Sequence, residues 1–139
     1  TFNSVAAKAP GFGERRKAHA EREQFLALVA KLAKRDIGYI HLAGGSVTGE
    51  LLKDTRALFP GTIIINGGYD AARAEADLAA GLVDLVSFGR HFISNPDLPE
   101  RLRTGAPIAD LDAATLYTPG AEGYTDYPRL DEAEALLAD

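Results

Sequence analysis

The residues best equipped for chemistry are two glycine turns, each after a β-prone run: Ile65-Asn66-Gly67-Gly68 and Phe88-Gly89-Arg90. A glycine has no Cβ, so its amide can approach an anion closely, and a helix N-terminus just beyond adds a favourable dipole. Arg90 could add a cationic contact or act through its main-chain N–H. Spacing alone leaves two readings open: a phosphate cradle, or tight turns that only redirect the chain. Asp70 constrains the first. As an N-cap its carboxylate would occupy helix amides that a phosphate also wants, leaving the preceding glycine amides to hold the anion.

The remaining reactive side chains point to little. His19 falls on an exposed helix face, and His41, alternating with Tyr39 along a strand, reads as a packed and satisfied residue. His91 follows the Gly89-Arg90 turn and lies nearer any phosphate. No His-x-x-x-His, carboxylate–histidine cluster or nucleophile elbow is present, so metal or serine hydrolysis has no support and no metal site is expected. The chain has no Cys, which removes disulfides, thiolate metal sites and cysteine nucleophiles. Tyr117, Tyr124 and Tyr127 sit in an irregular segment, where they either anchor the tail or line a pocket. Glu21/Glu23 and Glu122/Asp126 read as solvated charges.

The elements that must position the turns alternate. Phe25, Leu28, Val29 and Leu32 fall at i, i+3, i+4 and i+7 and predict a helix over about 20–34. Residues 37–42 form a β-prone run, and a second helix is expected over 48–59, with Leu51, Leu52, Thr55 and Leu58 on one side, stopped by Pro60-Gly61. Thr62-Ile63-Ile64-Ile65 reads as a strand buried on both faces. Asp70 then caps an Ala-rich helix over 71–80 that Gly81 closes. Residues 84–88 are the third strand, and Asn95-Pro96-Asp97 opens a short helix that ends at Thr104-Gly105. Strands start at Ile37, Thr62 and Asp84, spacings of 25 and 22 residues. Such alternation implies βαβ units with parallel strands, and about three of them are under half of a (β/α)8 barrel. The fold class is therefore α/β, with one domain over 1–139: a loop over 1–20, βα units over 21–105 and a tail over 106–139.

Composition bounds the partners. With 46% apolar and 25% charged residues the chain has the balance of a water-soluble domain of 139 residues. A net charge of −5 speaks against nucleic acid or an anionic membrane as main partner. No apolar run approaches the roughly 18 residues that span a bilayer. The first residues show no basic or apolar leader, so a cytoplasmic location is expected. The chain has no Met and opens on a loop-like stretch, so a preceding segment is expected to have been removed.

The ordered motifs resemble the end of the Old Yellow Enzyme family of flavin-dependent ene-reductases. They are Tyr39-Ile40-His41-Leu42, Ile65-Asn66-Gly67-Gly68-Tyr69-Asp70, residues 81–90, Phe92-Ile93-Ser94-Asn95-Pro96-Asp97-Leu98, and the tail Leu116-Tyr117 with residues 121–128. The resemblance implies the last three strands of a (β/α)8 TIM barrel with non-covalent FMN, reduced by NAD(P)H and reoxidised by an activated alkene or similar acceptor. Gly67 and Gly68 match the first phosphate-binding turn, Gly89 and Arg90 the second. Phe92 falls near the flavin's dimethylbenzene edge, and Tyr117 matches a tyrosine lining the substrate pocket. The family's substrate-anchoring pair, proton-donating Tyr and N1-facing Arg have no counterpart here, so no catalytic residue is assigned. The missing N-terminal barrel portion, in the same precursor or another chain, is then an implied partner. The alternative is a non-catalytic partial-barrel module that buries its sheet edges by forming a homo-oligomer.

Overall fold

The computed structural model describes residues 12–43, 47 and 49–138. The order is α1 (Phe12–Leu32), β1 (Tyr39–Leu42), α2 (Gly49–Leu58), β2 (Thr62–Ile65), α3 (Ala71–Ala79), β3 (Leu85–Val86), α4 (Arg90–Ser94), α5 (Leu98–Thr104), a 3-10 turn at Ala113–Thr115, and α6 (Leu130–Ala138). The strands lie in sequence order, all parallel. Tyr39 pairs with Thr62, His41 with Ile64, and Ile64 with Leu85.

One sheet face carries the core. Ile40, Leu42, Ile63 and Ile65 are buried, and they pack with Val29 of α1, Leu52 of α2, Phe59 and Ala74 of α3. Alternation along a strand sends the intervening residues to the other face. There Tyr39 is 60% and Leu85 53% exposed, so no described helix covers it. The sequence expectation of a β2 buried on both faces therefore holds for one: Ile63 and Ile65 are buried, Thr62 and Ile64 only half so. Burying the second face of a barrel sheet takes strands from across the barrel.

Asp84 and Arg56 lock the bottom of this layer. Asp84 Oδ2 accepts the Ile63 N–H at 2.8 Å and an Arg56 guanidinium N–H, while Arg56 also donates to the carbonyls of Gly61 and Leu82. The Ile63 amide, then the Arg56 guanidinium, holds the Asp84 carboxyl below its usual range.

Several boundaries differ from the sequence expectation. The loop expected over 1–20 is helix from Phe12 onward, and residues 1–11 lie outside those described. After Gly13 this stretch is rich in Glu, Arg, Lys and Ala, strong helix formers. It gains exposed i,i+4 pairs, Lys17–Glu21 at 3.8 Å and His19–Glu23 at 3.2 Å. Leu28, placed on the apolar stripe, is 54% exposed, since Val29, Phe25 and Leu32 already fill the contact. The first residue of the helix expected over 48–59, Thr48, lies outside the described residues. β3 is shorter than 84–88, although Asp84 N–H to Ile63 O and Ser87 N–H to Ile65 O continue its ladder. Between Gly89 and Asn95, where only a turn was expected, stands the one-turn helix α4.

The tail is tied down by polar contacts. Asp97 and Arg101 are buried together, Asp97 Oδ2 accepts the Leu130 N–H at 2.9 Å, and Arg101 Nη1 donates to Pro107 O at 2.8 Å. No helix of the described residues is long and apolar enough to cross a membrane.

Candidate functional site

The two glycine turns meet. Gly67, Gly68, Gly89 and Arg90 line one open cleft of about 590 Å³, together with Asn66, Tyr69, Ser87, Phe88 and His91. It lies beyond the C-terminal ends of β2 and β3, where parallel α/β sheets place their ligands. The backbone explains the glycines. Gly67 has φ 134° and Gly68 φ 67°, a region in which L side chains are strained. Gly89 has φ −92°, so no positive dihedral demands a glycine there.

The cleft offers groups that an anion could use. Among the described residues, the amides of Gly67, Gly68 and Gly89 donate to no carbonyl or side chain. Among the described residues, no acidic side chain lines the cleft, whereas Arg90 and His91 do. Arg90 forms no ion pair with any described residue. The α3 N-terminus contributes less, because Asp70 Oδ1 already accepts the Arg73 N–H at 2.8 Å. That cap decides between the two sources of positive potential: loop amides are open and helix amides are partly used.

Polar side chains fix the cleft's floor. Asn66 Nδ2 donates to Ser87 O at 2.8 Å and to Ser87 Oγ at 3.2 Å, stapling the ends of β2 and β3. Ser87 Oγ lies 3.0 Å from His41 Nε2, so the staple reaches β1. His41 is exposed on the uncovered sheet face; its hydrogen bond is satisfied, but the residue is not packed. In the sequence Asn66 and Ser87 leave only a faint trace of this role, a polar residue ending each apolar run.

The other two sequence-derived positions lie apart. Phe92, on α4, is 46% exposed and does not line the cleft. Tyr117 is 93% exposed, with φ 62° and its N–H donated to Tyr124 Oη at 2.6 Å.

No family model matches the chain. A 12-oxophytodienoate reductase-like protein of Solanum lycopersicum is 39% identical over 105 residues, 74% of this chain and 30% of that one. Among solved structures, morphinone reductase in complex with tetrahydroNAD superposes with a TM-score of 0.73 at 40% identity, over 81% of this chain and 31% of that one. The chain belongs to the Old Yellow Enzyme family. A homologue of old yellow enzyme from Zymomonas mobilis agrees, with a TM-score of 0.69 at 36% identity over 76% of this chain and 32% of that one. The three βα units are thus a C-terminal part of that family's TIM barrel. The chain spans between about a fifth and somewhat over a third of the length of the relatives it matches.

Proposed function

We propose that the chain supplies the FMN-phosphate site and part of the substrate pocket of an NAD(P)H:acceptor oxidoreductase that reduces activated C=C bonds. The observation that carries this is the cleft that glycine amides from two consecutive βα turns line together with Arg90, those amides being unpaired and without an acidic neighbour among the described residues. The amides of Gly67, Gly68 and Gly89 and the Arg90 side chain would hold the phosphate dianion. Charge-assisted bonds of this type are about twice as strong as neutral ones. FMN, when bound, supplies a hydride carrier between NAD(P)H and the acceptor. Phe92 would pack near its dimethylbenzene edge. Tyr117, pinned in a left-handed conformation by Tyr124, would form one wall of the substrate pocket. A backbone held in a sparsely populated region is a frequent mark of a functional position.

Catalysis on this reading belongs to the complete barrel, because the flavin ring and the acceptor must be held together in near-attack geometry. The uncovered sheet face with Tyr39 and Leu85 favours the same view: that face is built to meet further strands. It also sustains a second reading, in which the chain is a non-catalytic module that covers this face by self-association. A cytoplasmic setting goes with either.

Flavin fluorescence titrations of the chain separate the readings. Expected is binding of FMN at least about tenfold tighter than riboflavin, which lacks the phosphate. Mixing with a fragment bearing the first five strands is then expected to give a yellow species that oxidises NAD(P)H. A stable colourless oligomer indifferent to FMN would favour the second reading.

A further inference from the structure

α4 poses a physical problem. It has five residues, a single turn, and helix nucleation is unfavourable without outside support. Yet its first residues, Arg90 and His91, line the cleft, so the cleft's shape depends on this turn staying formed.

The support comes from Asn95, which is fully buried although it lies beyond the helix and touches no cleft surface. Asn95 Nδ2 donates to His91 O at 2.9 Å, taking the carbonyl that a longer helix would satisfy with its own amide. The same side chain clips α4 to a distant stretch of chain. Its Oδ1 accepts the Ala109 N–H at 2.8 Å, and its Nδ2 reaches Ala109 O at 3.1 Å. Ser94 Oγ donates to that carbonyl as well, at 2.9 Å. Ala109 is held in turn, two residues from Pro107, whose carbonyl accepts from Arg101. An amide is the one side-chain group that donates to two carbonyls while accepting an amide proton in the same plane. An aspartate would present no donor when ionised, and a leucine would remove every one of these bonds between α4 and Ala109.

We propose that Asn95 is the positioning residue of the anion cleft: by clipping α4 to Ala109 it fixes the Gly89–Arg90 turn in its ligand-binding shape. The inference rests on the phosphate reading of the cleft given above. Asn95 does not contact the ligand; it determines where Arg90 and the Gly89 amide stand. Ser94 shares the task through one carbonyl and contributes less.

The test is an NMR titration of the chain with FMN and with riboflavin, following the amides of Gly68, Gly89 and Arg90. In the unmodified chain FMN shifts these amides saturably and riboflavin does not. Asn95→Ala is expected to weaken FMN roughly tenfold, the effect of losing the hydrogen bonds that clip α4 to Ala109. Amide-exchange protection in β1 and β2 stays as it was, which a merely structural role would not predict. Ser94→Ala, which removes one of two donors to Ala109 O, is expected to weaken FMN about threefold in the same direction. No FMN preference in the unmodified chain sinks the phosphate reading and the inference with it. A clear preference that both variants keep within about twofold overturns the inference alone. Should Asn95→Ala unfold, the Ser94→Ala result decides.

Discussion

Arg101 Nε donates to Asp97 Oδ1 at 2.7 Å, and the two side chains are only 4% and 5% exposed. Burying two charges is costly, and their attraction offsets the cost only when the remaining hydrogen-bond sites are filled. Here they are: Asp97 also accepts the Leu130 N–H, and Arg101 also donates to the carbonyls of Pro107 and Pro128. The pair therefore joins α5 to both ends of the tail. Arg101→Met leaves a buried carboxylate alone and is expected to cost about 3–5 kcal/mol in urea unfolding. A loss below about 1 kcal/mol would show that water or a rearranged tail compensates.

The same carboxylate sets an acid limit. Burial pushes the Asp97 carboxyl up, but the Arg101 guanidinium and the Leu130 amide outweigh it, leaving it below its ordinary value of 3.8. A depressed folded value means that the stabilisation is complete above the unfolded value and is lost as pH falls through the folded one. Urea midpoints measured from about pH 5 downward are therefore expected to hold until just below about 4 and then drop. Asp97→Asn should start lower and flatten the drop; an unchanged slope would assign the acid sensitivity elsewhere, with Asp84 the next candidate.

Tyr69 sets a limit at the alkaline end. Burial, then the hydrogen bond from its hydroxyl to Asp77 Oδ2 at 2.6 Å, raises the phenol to about 12, against the opposing pull of Arg73 over its ring. Between about 10 and about 12 the unfolded chain loses this proton and the folded chain keeps it, so stability falls as pH rises. Ultraviolet titration of the tyrosinates should show one of the five tyrosines ionising late, and Tyr69→Phe should delete that phase. A late phase that survives the substitution refutes the assignment.

Much of this architecture was legible in the sequence, for reasons that can be named. The β-branched run Thr62–Ile65 and the Asp70 cap with Gly81 behind it are local signals, and each stands where local physics put it. The glycine turns were legible as turns, and their convergence on one cleft followed once the strands were parallel and adjacent. What the sequence hid is non-local. Just beyond α4, Asn95 bonds Ala109, fourteen residues away, and nothing in Arg90–Ser94 itself announces that contact. Ser87 and His41 meet across 46 residues for the same reason. Leu28 was misplaced because periodicity marks a stripe but not its width.

The two sheet faces predict opposite mutational behaviour. Ile63 is fully buried between helices and sheet, so Ile63→Ala should cost about 2–5 kcal/mol through lost transfer energy and a residual cavity. Leu85, one strand over and on the uncovered face, is 53% exposed, and Leu85→Thr in the isolated chain should stay within about 0.5 kcal/mol. Sedimentation of the two Leu85 forms adds a second readout: if the bare face drives self-association, Leu85→Thr shifts the chain toward monomer. Equal large losses of stability at both positions would mean that the face is covered after all.

Two of the three cleft glycines, Gly68 and Gly89, allow backbone strain and ligand contact to be told apart. Gly68 sits at φ 67°, and a methyl added to its Cα would meet nothing within 4 Å, so Gly68→Ala encounters strain without a clash. It should lose about 1–2 kcal/mol of stability, and its effect on FMN is confounded by that strain. Gly89 has φ −92° and equally open space. Gly89→Ala should therefore leave stability within about 0.5 kcal/mol of the original. Its methyl would still stand at the cleft wall, where a phosphate oxygen is expected to approach the amide. FMN affinity should then fall roughly tenfold while riboflavin binding does not change. If Gly89→Ala leaves both stability and FMN affinity intact, Gly89 only redirects the chain, and the anion must be held by Gly67, Gly68 and Arg90 alone.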